Sequence, residues 1–147
     1  MSKQEKQFMS KMKYIYLAGP VEGCSNQEIH SWRVQTKLSL LPGIAGVNPD
    51  RIDNETPEGI IIQNYLDAKS CDAILAYLPK TITNRRASYG TIFEIAWGYS
   101  MQKPVIIVSD DDYVHNHSVL KMAGVHFTEL GDAIKYINQL FFDYVVT

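Results

Sequence analysis

Asp72-Ala73-Ile74-Leu75-Ala76-Tyr77-Leu78-Pro79 is the stretch that decides the fold. It is a near-continuous apolar run, far short of the ~20 residues that cross a bilayer. A run of this kind fits a strand buried on both faces, and such strands lie in parallel sheets covered by helices. Lys103-Pro104-Val105-Ile106-Ile107-Val108 is a second run of the same type. Between the two, Lys80–Ala87 reads as a polar, basic loop and Tyr89 to Met101 as a helix. Toward the N-terminus, Gly59 to Cys71 suits a helix, Asn48-Pro49-Asp50-Arg51 opens a polar loop running to about Pro57, and Ile44–Val47 is a short strand. Before it, Ser25 or Asn26 can cap a helix whose apolar residues Ile29, Trp32, Val34, Leu38 and Leu41 recur at roughly helical spacing until Pro42-Gly43. Tyr14–Ala18 is the expected first strand, delivered into Gly19-Pro20. On the C-terminal side, Asp110-Asp111-Asp112 leads a variable loop, Val125–Phe127 is a last short strand, and Leu130–Leu140 is a closing helix. This alternation argues for a parallel sheet with helices on both faces.

With 147 residues the chain fits one domain, expected over 14–147 behind an N-terminal extension, 1–13. Fourteen basic residues against sixteen acidic ones leave a net charge of -2, too balanced for a surface that neutralises nucleic-acid phosphates. No stretch is long enough to be a membrane span, and the N-terminus lacks the apolar core of a secretory signal, so a cytoplasmic protein is expected. Cys24 and Cys71 have neither CxxC spacing nor a disulfide framework, and His30, His115, His117 and His126 do not share metal-ligand spacing. No metal and no cofactor are expected.

In open sheets of this kind ligands bind outside the carboxyl ends of the strands, which picks out the loops after Ala18, Val47 and Leu78. Gly19-Pro20-Val21-Glu22-Gly23-Cys24-Ser25 lacks the Gly-Lys-Ser/Thr ending of a Walker sequence and the GxGxxG pattern, so nucleotide triphosphate hydrolysis is not supported. A glycine there still lets a ligand approach the backbone closely. Ser88-Tyr89-Gly90-Thr91-Ile92-Phe93-Glu94 puts a small polar residue, a glycine and a hydroxyl at the start of a helix, where free amides can hold an anion or a sugar oxygen. Glu94, among Phe93, Ile95, Ala96 and Trp97, is expected to be partly desolvated and poised for nucleophilic or acid/base work.

Tyr16-Leu17-Ala18-Gly19-Pro20, Ser88-x-Gly90-Thr91-x-x-Glu94-Ile95 and Lys103-Pro104-Val105, in that order and with the Trp32-Arg33 pair, resemble the nucleoside 2-deoxyribosyltransferase family. Its superfamily also holds the nucleoside 5'-monophosphate N-hydrolases. The likeness runs from about Tyr14 to Leu140. It implies a flavodoxin-like (Rossmann-like) three-layer α/β sandwich with a mostly parallel sheet of about five strands. It also implies cleavage of the bond between C1' of a sugar and a nucleobase, with Glu94 as the nucleophile that forms a glycosyl ester. Tyr16 stands where the family keeps a tyrosine that orients the nucleophile. Gly19, Pro20, Gly90 and Thr91 fall at substrate-binding positions, and Asn116, His117 or Ser118 in the region that family members lend to a neighbouring subunit. The implied partners are a small-molecule nucleoside or nucleotide and a free nucleobase, in a homo-oligomer with sites completed across the interface.

Two departures bear on the chemistry. Eight residues before Asp72, members commonly carry an aspartate, and this chain has Asn64, an amide that cannot donate a proton as a carboxylic acid does. Asp67 is the nearby acid, although three residues turn a helix by about 300°. Ser88 replaces the aspartate of classical deoxyribosyltransferases and matches the serine that helps the monophosphate hydrolases bind a 5'-phosphate, with Arg85 and Arg86 just before it. Transfer to a second base and hydrolysis by water both remain open, as does a non-catalytic nucleotide-binding module. An electron-transfer flavodoxin is disfavoured, because the loop after the first strand is not hydroxyl-rich.

Overall fold

The structure is a computed structural model that describes residues 2, 12–49, 56–79, 87–110 and 114–145. Its elements run β1 (Lys13–Ala18), α1 (Asn26–Ser39), β2 (Ile44–Val47), α2 (Pro57–Ser70), β3 (Ala73–Tyr77), α3 (Tyr89–Ser100), β4 (Val105–Val108), α4 (Ser118–Ala123), β5 (Val125–Phe127) and α5 (Leu130–Val145). All strand pairs are parallel and the sheet order is β2-β1-β3-β4-β5, a flavodoxin-like α/β arrangement. The quoted run is the middle strand, with Tyr16 in register with Ile74 and Ile74 with Val105.

Alternation along the strands divides the core in two. Ile15, Leu17, Leu75 and Ile106 face one side and pack with Trp32 of α1 and with Leu130, Ile134, Ile137 and Phe141 of α5. Tyr16, Ala18, Ile74, Ala76 and Ile107 face the other and pack with Ala68 of α2, Ile95 of α3 and Leu120 of α4.

Helix starts follow the capping chemistry. Ser25 Oγ accepts from Glu28 N at 3.1 Å and Glu28 Oε1 accepts from Ser25 N at 3.0 Å, a reciprocal capping box. Helix α2 starts at Pro57 rather than Gly59, because Thr56 Oγ1 accepts from Gly59 N at 3.1 Å and proline suits the first helical turn. Helix α4 occupies part of what the sequence reads as a variable loop. Its cap is His117, whose Nδ1 accepts from Val119 N at 3.1 Å, and histidine is not a residue that announces a helix start. The closing helix runs to Val145, past Leu140.

The expected apolar face of α1 is corrected. Trp32, Arg33 and Thr36 are buried, whereas Val34 and Leu38 are exposed. At 100° per residue, Val34 and Leu38 lie about 200° and 240° round the helix from Trp32.

The Lys103-Pro104-Val105 motif has a structural use. Lys103 Nζ donates to Ala68 O at 3.0 Å and also to the carbonyls of Lys69 and Cys71, closing the C-terminus of α2. Burial lowers the Lys103 pKa from its ordinary value and pushes the Cys71 thiol up to about 12.

Candidate active site

The chain leaves β1 for β2 on one side and reaches β3 on the other, so the crevice at the carboxyl ends of β1 and β3 is where a ligand meets the backbone in such a sheet. On the β1 side lie Gly19 and Pro20, both buried. A Cβ on Gly19 would sit 2.6 Å from Trp32 Cζ2, so the indole packs against this loop only because the residue is glycine. Arg33 is also buried. Its Nη2 donates to Leu17 O and Gly19 O, each at 3.4 Å, and its Nη1 to Ile29 O. The guanidinium carbon lies 4.6 Å from the Trp32 ring centroid. The Trp32-Arg33 pair therefore ties α1 to the backbone that ends β1.

Helix α3 supplies the acid. Glu94 is 7% exposed, and Thr91, one turn earlier, is 1% exposed. Glu94 Oε1 lies 4.0 Å from where a Cβ on Gly90 would stand, so the carboxylate is folded back toward the helix start, as helical side chains lean. That direction is also the carboxyl edge of the sheet. Ser88, the N-cap, makes no side-chain cap; its Oγ is 2.7 Å from Thr91 Oγ1. No acidic residue stands in the first turn of α3.

Tyr16 is fully buried, and its side chain belongs to the core on the α2–α3 side of the sheet, the side from which Glu94 comes. Asn64 is half-buried on α2, and its Oδ1 is buried without a hydrogen-bond partner. Asp67 is not brought to the same place, since its Oδ1 accepts from Gln63 Nε2 at 3.1 Å in an exposed bond along the helix. Arg85 and Arg86 lie outside the described residues. Asn116 is exposed and Ser118 opens α4.

His115 is the residue that the motifs miss. Its Nε2 accepts from Ser88 N at 3.0 Å, which ties the segment after β4 to the start of α3. The partner is 27 residues away, and no local pattern marks a tertiary hydrogen bond of that kind. Among the described residues no three His, Cys, Asp or Glu side chains group to hold a metal ion, and no helix is long and apolar enough to cross a membrane.

No family model and no curated protein matches the chain. Solved structures do. The 2-deoxyribosyltransferase from Leishmania mexicana is 18% identical with a TM-score of 0.69, over 86% of this chain and 97% of that one. A conserved protein from Enterococcus faecalis V583 is 18% identical with a TM-score of 0.67, over 88% and 99%. The CMP N-glycosidase from Clostridium botulinum is 18% identical with a TM-score of 0.55, over 86% and 99%. The chain thus shares a fold, along nearly the whole length of each, with enzymes named for deoxyribosyl transfer and for nucleotide N-glycoside cleavage.

Proposed function

We propose that the protein cleaves the N-glycosidic bond of a (2'-deoxy)nucleoside or its 5'-monophosphate and transfers the sugar to another nucleobase. The observation that carries this reading is a buried glutamate turned toward the carboxyl edge of the sheet, behind a Ser-x-Gly-Thr helix start, in a chain folded like proteins named for that chemistry. Glu94 attacks C1'. The C1'–N bond breaks with its electron pair going to the base, which takes up a proton, and an ester joins C1' to Glu94. The nitrogen of a second base then attacks C1', loses its proton, and releases the carboxylate. Tyr16 orients Glu94, Gly19 and Pro20 let the sugar approach the end of β1, and Gly90 and Thr91 line the helix start. Asn64 meets the base by hydrogen bonding, with an acceptor oxygen that the protein itself leaves unused. The departing base must draw its proton from elsewhere, for which water is the candidate.

One observation favours a monophosphate as the substrate, the substrate class of the hydrolysis reading. The N-cap of α3 is Ser88 and its first turn carries no acid, so nothing there repels a 5'-phosphate. Arg85 and Arg86 would add to that site. Asn116 and Ser118, on the segment after β4, would reach a neighbouring subunit's ligand. An assembly of copies is also supported by Ile61, Ile62, Tyr65 and Leu66 on α2 and by Tyr89 and Phe93 on α3, which are exposed.

The test is chromatography of nucleosides and 5'-monophosphates incubated with the protein, with and without a second free base. Base exchange supports transfer, and release without exchange supports hydrolysis. Ligand binding with no bond cleavage would leave only a nucleotide-binding module.

A further inference from the structure

The N-cap amide of a helix is usually satisfied by a residue of its own first turn, most often the glutamate of a capping box, as Ser25 and Glu28 do for α1. Helix α3 has Thr91 at that position, and the Thr91 hydroxyl is engaged with Ser88 Oγ. The acceptor comes instead from the segment between β4 and α4. His115 Nε2 takes the Ser88 amide at 3.0 Å, and because an amide N–H can only donate, that ring nitrogen carries no proton. His115 is therefore neutral when the bond is made. His117, two residues on, caps α4, so one short stretch is fastened to α3 at one end and starts α4 at the other.

We propose that neutral His115 is a positioning residue. It latches the segment carrying Asn116 and Ser118 to the start of α3, holds Ser88 in the orientation that meets the ligand, and releases both when it is protonated. The role in ligand binding rests on the function proposed above; the latch itself does not. Protonation puts an N–H where the acceptor was, facing another N–H, so the bond is present above the imidazole titration, ~6.5 for an unperturbed histidine, and lost as the pH falls through it. His115 also lines a cleft of about 270 Å³ at the carboxyl ends of β3, β4 and β5. Among the described residues, the charged or titratable groups sharing that cleft are Asp110 after β4, Lys121 on α4 and His126 on β5. The His126 Nε2–H donates to Leu120 O at 2.8 Å, and His117 uses its Nδ1 as a cap, so neither ring replaces His115 at Ser88. Glu94, in the second turn, is the carboxylate of α3 itself.

The experiment follows the Ser88 amide proton by NMR across pH 5 to 8 (about the range of imidazole titration) in the wild type, His115→Ala and His115→Gln. The wild-type resonance should move upfield as the pH falls. In His115→Ala it should lie upfield throughout, and in His115→Gln, whose side-chain carbonyl accepts without titrating, it should stay bonded throughout. A wild-type resonance that ignores the imidazole titration, or one matching His115→Ala at pH 8, overturns the latch. KM and kcat for a matched set of 2'-deoxynucleosides and their 5'-monophosphates read the positioning role. His115→Ala should raise KM roughly five- to tenfold with kcat nearly kept, and His115→Gln should restore KM and remove its acid-side rise. An unchanged KM in His115→Ala overturns that role. A titrating amide with no base release in any variant keeps the latch and sinks the catalytic reading.

Discussion

Helices α5 and α3 pack on opposite faces of the same sheet and divide their residues in opposite ways. Helix α5 buries Leu130, Ala133, Ile134, Ile137 and Phe141, a stripe at i, i+3, i+4, i+7 and i+11, as a helix does when packing is its whole task. Helix α3 buries Thr91, Glu94, Ile95 and Gly98 and leaves Tyr89, Phe93 and Tyr99 exposed. Burying a carboxylate costs solvation that an apolar residue would not lose. A helix that hides an acid and shows aromatics is not arranged for its own stability alone.

The comparison breaks most visibly at two phenylalanines. Phe141→Ala should destabilise the protein by about 3 kcal/mol, the range for emptying a core aromatic site. Phe93→Ala, at a residue 63% exposed, should change the stability of the isolated chain by less than about 0.5 kcal/mol while weakening self-association. Urea unfolding and sedimentation at several concentrations read the two effects. Equal losses of stability would mean that the faces do not differ as described.

A smaller effect of opposite sign separates two glycines. A Cβ on Gly98 would stand 2.6 Å from Ile74 Cγ1 and 2.9 Å from Val105 Cγ2, so Gly98→Ala should cost about 1–3 kcal/mol despite the better helix propensity of alanine. Nothing lies within 4 Å of a Cβ on Gly131, in the first turn of α5, so Gly131→Ala should gain about 0.5 kcal/mol. Thermal melts of the two variants should move in opposite directions; a stabilised Gly98→Ala would show that α3 can lift from the sheet at no cost.

The smallest effect is chemical. Burial, with Asp67 and Asp72 adding to it, raises the Cys71 thiol to about 12, against the smaller opposing pull of Lys103. At pH 8 its thiolate fraction is about one in ten thousand. Iodoacetamide should label Cys24, which is only half-buried, and spare Cys71 until the protein unfolds. Labelling of native Cys71 at the rate of Cys24 would contradict the close packing beneath α2.

Strands β1 to β4 were legible because each is an apolar run followed within two residues by Gly, Pro or Asp, whereas β5 is only three residues with a histidine at its centre. Helix α1 was legible in extent, through the Ser25 or Asn26 cap and the Pro42-Gly43 stop, but not in its facing. Its buried stripe includes Arg33 and Thr36, whose Nη groups and hydroxyl donate to the backbone carbonyls of Ile29, Leu17, Gly19 and Trp32, and no periodicity of apolar residues reveals such partners. Helix α4 is too short for a periodic signal. At the candidate site, Ser88, Gly90, Thr91 and Glu94 could be read together because the cap and first two turns of one helix carry them all. His115 could not, since it reaches Ser88 only through the fold.

In the proposed reaction Glu94 becomes covalently joined to the sugar. That step is tested most directly by quenching the protein with acid during turnover of a 2'-deoxynucleoside or its monophosphate and weighing the peptide that contains Glu94 by mass spectrometry. The expected result is a peptide heavier by one deoxyribosyl or deoxyribosyl phosphate residue, absent from Glu94→Gln, which should keep its fold and lose base release by roughly a thousandfold or more. Base release at the wild-type rate in Glu94→Gln, or turnover with inversion at C1' and no adduct on Glu94, would contradict it.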